Sequence, residues 1–358
     1  MSRARWAALA AVAALVMGVA GCGSSEKGTD VKKIAFVAPY SDNEVEWTLQ
    51  AKEVVDEFPR SLHVRVDTAD ASRTSDIRGV LEQVSHEGNQ LVIAHDSRYA
   101  ETADAVAEQT DVPELVWGEQ QGASSDGLVG QITVQDKAGG YMAGIAATKA
   151  AITRRLGVII ADDGSAWDLA TWNRTAGGFV AGARSIDPKV HIRYELIGSG
   201  GHASAAQMHA MARRMLAEGV QMLLILGNKA AIGAQRAVEE TGGADERLSI
   251  GVVSDKGRTR RLEEGGVPIM LGAIIWDTRP AFRRAVADLR AGTFGEHPYE
   301  LTIRNGGVSL YQTGRMPGDA YTEAVEAGKR IARGALSVPS TATTQAVEDL
   351  IAGQSPEG

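Results

Sequence analysis

Five tryptophans beyond the first residues of this chain stand beside or among polar side chains able to grip a ligand. Asp42 precedes Trp47, Asp162-Asp163 precedes Trp167 and Trp172, and Asp277 follows Trp276; Trp117 is the fifth. His95-Asp96-Ser97, Gly227-Asn228-Lys229 and Asp255-Lys256 add further acceptors and donors. Flat indole faces stack on flat or ring-shaped solutes, and carboxylates accept from hydroxyl or amino groups. That is the chemistry of holding a molecule. Nothing comparable points to turnover. No nucleophile has a legible base partner, and the seven histidines show no metal-ligand spacing. Asp162-Asp163 reads as an acidic loop, because adjacent loop residues rarely aim at one ion. Ser199-Gly200-Gly201 lacks the Gly-Lys-Ser/Thr ending of a phosphate loop and reads as a connecting turn. Arg258, Arg260 and Arg261 read as a solvated helix face. The chain is read as a non-enzyme with no cofactor and no metal.

Short β-branched runs alternating with longer amphipathic ones must position these groups. Strands are expected at Lys33–Ala38, Leu62–Asp67, Leu91–Ala94, Glu114–Trp117 and Leu128–Thr133, with helices near Thr48–Phe58, Thr74–His86 and Glu101–Gln109. The pattern restarts with helix Lys137–Ala151. It continues through strands Leu156–Ile160, His191–Leu196, Met222–Leu226, Leu248–Val253 and Ile269–Ile275. Helices Arg174–Ser185, Ser204–Gly219, Ala230–Glu240, Arg258–Glu264 and Arg279–Ala291 fall among and after them. Ser204 suits an N-cap, since its hydroxyl can accept from a first-turn amide. A hairpin over Tyr299–Tyr311, turning at Asn305-Gly306-Gly307, and helix Ala320–Leu336 complete the chain. Strands alternating with helices give βαβ crossovers and parallel sheets, and two such series predict an α/β protein of two doubly wound lobes. In such sheets ligands bind beyond the carboxyl ends of strands, where the residues above fall.

The N-terminus carries a different message. Arg3 and Arg5 precede an apolar stretch from Trp6 to Ala20, which ends at Val19-Ala20-Gly21-Cys22. A basic head, a short apolar core and small residues before a cleavage point make an export signal, and the core is short of the roughly 20 residues of a spanning helix. The Val-Ala-Gly-Cys ending resembles the lipobox of bacterial lipoproteins. That resemblance implies a signal peptide over 1–21 and lipidation of Cys22, the sole cysteine. Residues 22–30 follow as a lipidated tether, and the chain is held on the extracytoplasmic face of the cell membrane. Without a second cysteine there is no internal disulfide, and burial alone must stabilise about 336 residues. Removing Arg3 and Arg5 leaves 35 basic against 45 acidic side chains, a net charge near −10. That balance argues against a nucleic-acid partner, which needs a basic face.

Four further stretches carry a family resemblance: Gly139-Gly140-Tyr141-Met142-Ala143-Gly144-Ile145-Ala146-Ala147, Gly178-Phe179-Val180-Ala181-Gly182, Gly227-Asn228-Lys229-Ala230-Ala231-Ile232-Gly233 and Ile250-Gly251-Val252-Val253-Ser254-Asp255-Lys256. Their order and spacing resemble the basic membrane protein (BMP) family, substrate-binding lipoproteins of ABC transporters whose best understood members bind purine nucleosides. The resemblance implies a type I periplasmic binding protein-like fold, with two lobes, three crossing segments, a hinge and a ligand cleft. It places lobe one at 31–135 plus 256–297, lobe two at 136–255 plus 298–336, and a C-terminal tail at 337–358. The ligand-binding set expected is Asp42, Trp47, Asp96, Trp172, Gly227, Asn228, Asp255 and Trp276, Trp47 resembling the family's base-stacking aromatic. Three positions depart from the family pattern. Thr175 stands where a second stacking aromatic belongs, Val253 at the first position of an acidic pair, and Trp276 where a lysine is usual. An indole cannot replace a three-donor ammonium. The expected partners are a small ring-bearing solute of the purine-nucleoside kind that the resemblance implies, an ABC permease and the membrane through the lipid. A sensor of the same fold that signals without transport is the alternative.

Overall fold

Runs such as Met222–Leu226, apolar at every position, can form strands only where both faces of a sheet are covered, and this chain builds two such sheets. The computed structural model describes residues 28–39, 46–71, 74–118, 127–241, 248–253 and 269–353. The first half runs β1 (Lys33–Ala38), α1 (Glu46–Asp56), α2 (Phe58–Ser61), β2 (Arg65–Asp70), α3 (Ile77–His86), β3 (Val92–Ala94), α4 (Ala100–Thr110), β4 (Glu114–Trp117), β5 (Val129–Val134) and α5 (Asp136–Ala150). The second half runs β6 (Arg155–Ala161), α6 (Ala166–Ile186), β7 (His191–Ile197), α7 (Ala205–Ala217), β8 (Met222–Leu226), α8 (Ala231–Glu240), β9 (Leu248–Val253) and β10 (Met270–Trp276). Then come α9 (Arg279–Ala291), β11 (Tyr299–Leu301), β12 (Val308–Gln312), α10 (Gly318–Ala332) and α11 (Thr344–Ala352).

Sheet one has the order β11-β5-β4-β3-β1-β2 and is parallel throughout. Sheet two has the order β12-β10-β9-β8-β6-β7 and is parallel except for β12 against β10. Central strands β1, β8 and β10 are buried almost end to end, whereas edge strand β2 is half-buried or exposed throughout and edge strand β7 is buried at only two positions. One apolar core, including Phe36, Trp117, Phe179, Leu224 and Phe282, spans both lobes. The other face of each sheet closes its own core, around Met208, Met215 and Leu223 in lobe two and around Leu81, Val92 and Val116 in lobe one.

The chain crosses between sheets three times: at Gln135 after β5, at Asp277–Thr278 after β10, and over 302–307 between β11 and β12. The crossings are tied together. Gln135 N–H donates to Leu301 O at 2.9 Å, Asp277 N–H to Gly307 O at 2.9 Å, and Ile303 N–H to the Gln135 side-chain oxygen at 3.2 Å. This hinge corrects two expectations. The run around Asn305-Gly306-Gly307 is a crossing and not a hairpin turn, because β11 pairs with β5 and β12 with β10. The strand expected at Ile269–Ile275 belongs to sheet two, in parallel register with β9, whereas α9 packs in lobe one. The second crossing therefore falls at Asp277, not at Asp255–Lys256, and β11 joins lobe one. The run 337–358 is not a loose tail throughout. Thr341 is buried with its hydroxyl on Asn173 O at 2.8 Å, Val338 and Val347 are buried, and Arg184 donates to the carbonyls of Leu350 and Ile351. Residues 338–352 thus strap α11 onto the outer side of α6.

Helices α5 and α6 touch backbone to backbone. A Cβ on Gly140 would stand 2.0 Å from Thr175 O, and one on Gly144 2.1 Å from Phe179 O. Gly178 and Gly182 reciprocate, each 2.1 Å from a carbonyl oxygen of α5, those of Lys137 and Tyr141. Only glycine permits this seam.

Two outcomes follow from this packing. Gly144→Ala is expected to lose about 1–3 kcal/mol in chemical denaturation, while Gly318→Ala, where a methyl meets nothing within 4 Å, stays neutral. Equal stability of the two variants would mean that the helices can part freely. Glu114 is fully buried, with neither carboxyl oxygen meeting a donor among the described residues, and burial pushes its pKa up to about 9. Between the ordinary 4.5 and about 9 the folded state holds a proton that the unfolded chain has released. Stability therefore falls as pH rises through that window, by up to about 1.4 kcal/mol per unit. Glu114→Leu is expected to melt higher at pH 7.5 and to flatten the pH–stability curve. An unchanged slope would assign the pH dependence elsewhere.

Candidate functional site

The carboxyl ends of both sheets face each other, and the two lobes meet there. On lobe two, β6 delivers Asp162-Asp163-Gly164 and then Ser165, which caps α6 by accepting from Asp168 N–H at 3.1 Å. Asp162 is consumed locally, holding Gly164 N–H at 2.9 Å and Gly200 N–H at 3.0 Å across the neighbouring turn. One face of α6 then carries Ser165, Asp168 and Trp172 at helical spacing. Trp172 stacks on Trp276, the last residue of β10, with ring centroids 5.3 Å apart and planes 8° apart. After β8, Gly227 turns with φ 131°, and a Cβ there would meet the Ala161 side chain at 2.6 Å. That turn aims Asn228, whose amide donates to Asp163 and, at 3.1 Å, to Asp168.

On lobe one, β3 delivers buried His95 and Asp96 and then Ser97. Asp96 caps the turn Ser97–Tyr99 and holds the Arg98 guanidinium at 2.6 and 2.9 Å. Trp117 Nε1 donates to His95 Nδ1 at 3.0 Å, which fixes both rings. Two contacts then cross between the lobes. Ser97 Oγ lies 2.8 Å from Ser165 Oγ and 2.9 Å from Asp168 Oδ1, and the Trp117 and Trp167 rings stand 5.9 Å apart at 56°. Burial, then Asp163 and then Asp96 push the Asp168 pKa up to about 7, against the donors Ser97 and Asn228. No acceptor among the described residues meets the buried indole N–H of Trp167, Trp172 or Trp276. Each such donor costs about 1–3 kcal/mol while unmet. The face thus offers acceptors at Asp163, Asp168 and the Asn228 carbonyl oxygen, donors at three indoles, and a stacked aromatic pair.

Of the expected set, Asp96, Trp172, Gly227, Asn228 and Trp276 fall at this junction of strand ends. Trp47 lies in the first turn of α1. Asp42, Asp255 and Cys22, with helix 258–264, lie outside the described residues. Sequence reasoning passed over Asp168, and the helix it belongs to begins at Ala166, not Arg174. The signal was available, because Ser165-x-x-Asp168 is the spacing of a capping pair. Among the described residues no group of three or more His, Cys, Asp or Glu could hold a metal, and no helix is long and apolar enough to cross a membrane.

Two facing α/β lobes joined by three crossings, with ligand-type side chains between them, define a two-lobe solute-binding architecture. The family of PnrA-like ABC transporter substrate-binding proteins, Bmp, matches residues 31–333, and the chain belongs to it. Solved structures agree on the fold. A solute-binding protein of an ABC transporter system from Aeropyrum pernix superposes with a TM-score of 0.71 at 15% identity, covering 90% of this chain and 96% of that one. Another from Conexibacter woesei gives 0.68 at 20% identity, covering 87% and 99%. Among curated proteins, the transcriptional activator protein med of Bacillus subtilis is 21% identical over 286 residues, 79% of this chain and 83% of its own.

The site helix has its own anchor. Asp136, at the first turn of α5 beside the hinge, is buried and accepts from Arg174 Nε at 2.6 Å; burial still holds its pKa at about 6. Arg174→Met is expected to destabilise by about 3–5 kcal/mol at pH 8, where Asp136 must stay charged or take up a proton. The loss shrinks at pH 5, where the lone carboxyl is neutral. Denaturation at the two pH values decides, and an equal loss at both would reduce the pair to packing.

Proposed function

We propose that this chain is the membrane-anchored, extracytoplasmic solute receptor of an ABC importer, and that it closes on a small ring-bearing, nucleoside-like solute. One observation carries the reading. The stacked Trp172–Trp276 pair, with two unmet indole donors, shares a helix face and a strand end with Asp168 and Asn228. A heterocycle with ring nitrogens or carbonyls would accept from the indoles, while its amino or hydroxyl groups would donate to the carboxylates. An apolar ring would leave the carboxylates unmet. Asp42, Trp47 and Asp255 follow β1 and β9 in sequence and would complete the cleft from those strand ends. Asp96 acts indirectly, by holding the Ser97 turn. A solute touching both lobes favours the closed form by its differential affinity for it. Lipidation at Cys22 would keep the receptor beside its permease.

The test is a thermal-shift panel of nucleosides, bases and sugars on the mature chain, with native mass spectrometry for any co-purified solute. A purine nucleoside is expected to raise the melting temperature, and Trp172→Ala or Asn228→Ala to weaken its binding at least tenfold. A shift with sugars alone, or binding untouched by both variants, would overturn the ring-bearing assignment. For the anchor, Cys22→Ser is expected to release the protein from the membrane fraction.

A second reading has one observation in its favour, the similarity to a protein named as a transcriptional activator. In that reading the same closure reports the solute to a signalling partner. Uptake of labelled solute that is unchanged on deleting the gene would select it.

A further inference from the structure

We propose that Ser97, Ser165 and Asp168 form a proton-carrying latch, so that closing the empty lobes takes up one proton at Asp168. This goes beyond the reading above, because it concerns the chain without solute. With the proton on Asp168 Oδ2, Oδ1 can only accept, and the hydrogen bonds take one direction. Ser97 donates its one hydroxyl proton to Asp168 Oδ1, and Ser165 Oγ accepts from Asp168 N–H. The hydrogen bond between the serines must then be donated by Ser165. A ring results, from the Asp168 amide through Ser165 and Ser97 to the Asp168 carboxyl. Ser97 is its sole member from lobe one, so the ring exists only while the lobes touch.

The surroundings decide the charge of that carboxyl. Asp163 stands on the loop before α6, sharing the Asn228 amide with Asp168. Asp96 sits beside Ser97 with Arg98 as its cation, and Asp162 is occupied by two backbone N–H groups. His95, one residue earlier, is tied to Trp117, and Arg174 on the same helix is held by Asp136. Lys229, next to Asn228, is exposed, as is His202 on the turn packed against Gly164. Closing therefore brings Asp168 out of water and adds Asp96 to the Asp163 already beside it on its own lobe, with Arg98 facing Asp96 rather than Asp168. Opening removes Ser97 and Asp96 and returns Asp168 to solvent, leaving only Asp163 and Asn228 beside it. In the closed form burial and the two acids raise it to about 7. Below about 7, until the open form's own carboxyl protonates, the closed form thus holds up to one proton more than the open form. The closed-to-open ratio rises up to about tenfold for each unit that pH falls within this window.

Small-angle scattering of the mature polypeptide, Cys22 to Gly358 with no solute, reads this directly. The radius of gyration is expected to shrink from pH 8.5 to pH 5.5. Asp168→Asn, neutral at every pH and nearly the same shape, is expected to be compact at both values. Ser97→Ala, on the opposite lobe, is expected to lose compaction at pH 5.5, and thermal melts confirm that both variants fold. Compaction indifferent to pH in the wild type, or a full pH response surviving in Asp168→Asn, would overturn the latch. The assay contains no solute. A failed latch therefore leaves the solute panel standing, and a silent panel leaves the latch standing.

Discussion

The glycine seam between α5 and α6 is the constraint on which the rest depends. Helix α5 leaves the hinge at Gln135, and α6 leaves the cleft at Ser165, so their contact transmits the position of one to the other. Four glycines let carbonyls approach where any side chain would collide. Close backbone contact admits few alternative packings, unlike an interface of long side chains that can repack. The Asp136–Arg174 ion pair pins the register at the cleft end, and Thr341 fills the groove opposite Gly177 from outside. Asp168 and Trp172 thereby inherit a fixed direction from residues up to about four turns away.

Electrostatics in the cleft work against this rigidity. Asp96, Asp163 and Asp168 influence one another across the lobe boundary, with Arg98 as the cation paired to Asp96. A buried carboxylate is costly unless paired, so a charged Asp168 favours separation and a neutral one favours contact. Indole donors left without acceptors add a smaller penalty of the same sense. The empty closed form is therefore held by a handful of hydrogen bonds and aromatic contacts, against terms that a suitable occupant would relieve.

Much of the architecture was legible in the sequence. Strand runs such as Lys33–Ala38 and Met222–Leu226 were read at their full length, and Ser204 caps α7 with a reciprocal Gln207 contact. The misses share a cause, for periodicity reports burial and not partnership. Met270–Trp276 is as apolar as any lobe-one strand, and nothing local says that it pairs with β9. Leu62 fitted a strand, yet the edge strand starts at Arg65 because Phe58–Ser61 continues the preceding helix as a short turn. The start of α6 was hidden by Asp162-Asp163-Gly164, whose loop signals masked the capping serine one residue later. Placement of the tryptophans at strand ends was readable, whereas the Trp172–Trp276 stack needed the packing of α6 on β10's end. Asp168 was passed over for a related reason, since a first-turn aspartate is ordinarily a solvated helix-dipole partner. Only the opposing lobe makes it anything else.

The C-terminal strap has a mechanical consequence. The first strand of the described chain lies in lobe one, while α11 is fastened to α6 in lobe two. The two ends of the described chain therefore ride on opposite jaws. Whatever holds the N-terminal end makes lobe one the fixed arm, and lobe two becomes the arm that swings. A group carried at the C-terminal end sweeps with it, which turns the end-to-end distance into a ruler for the hinge angle.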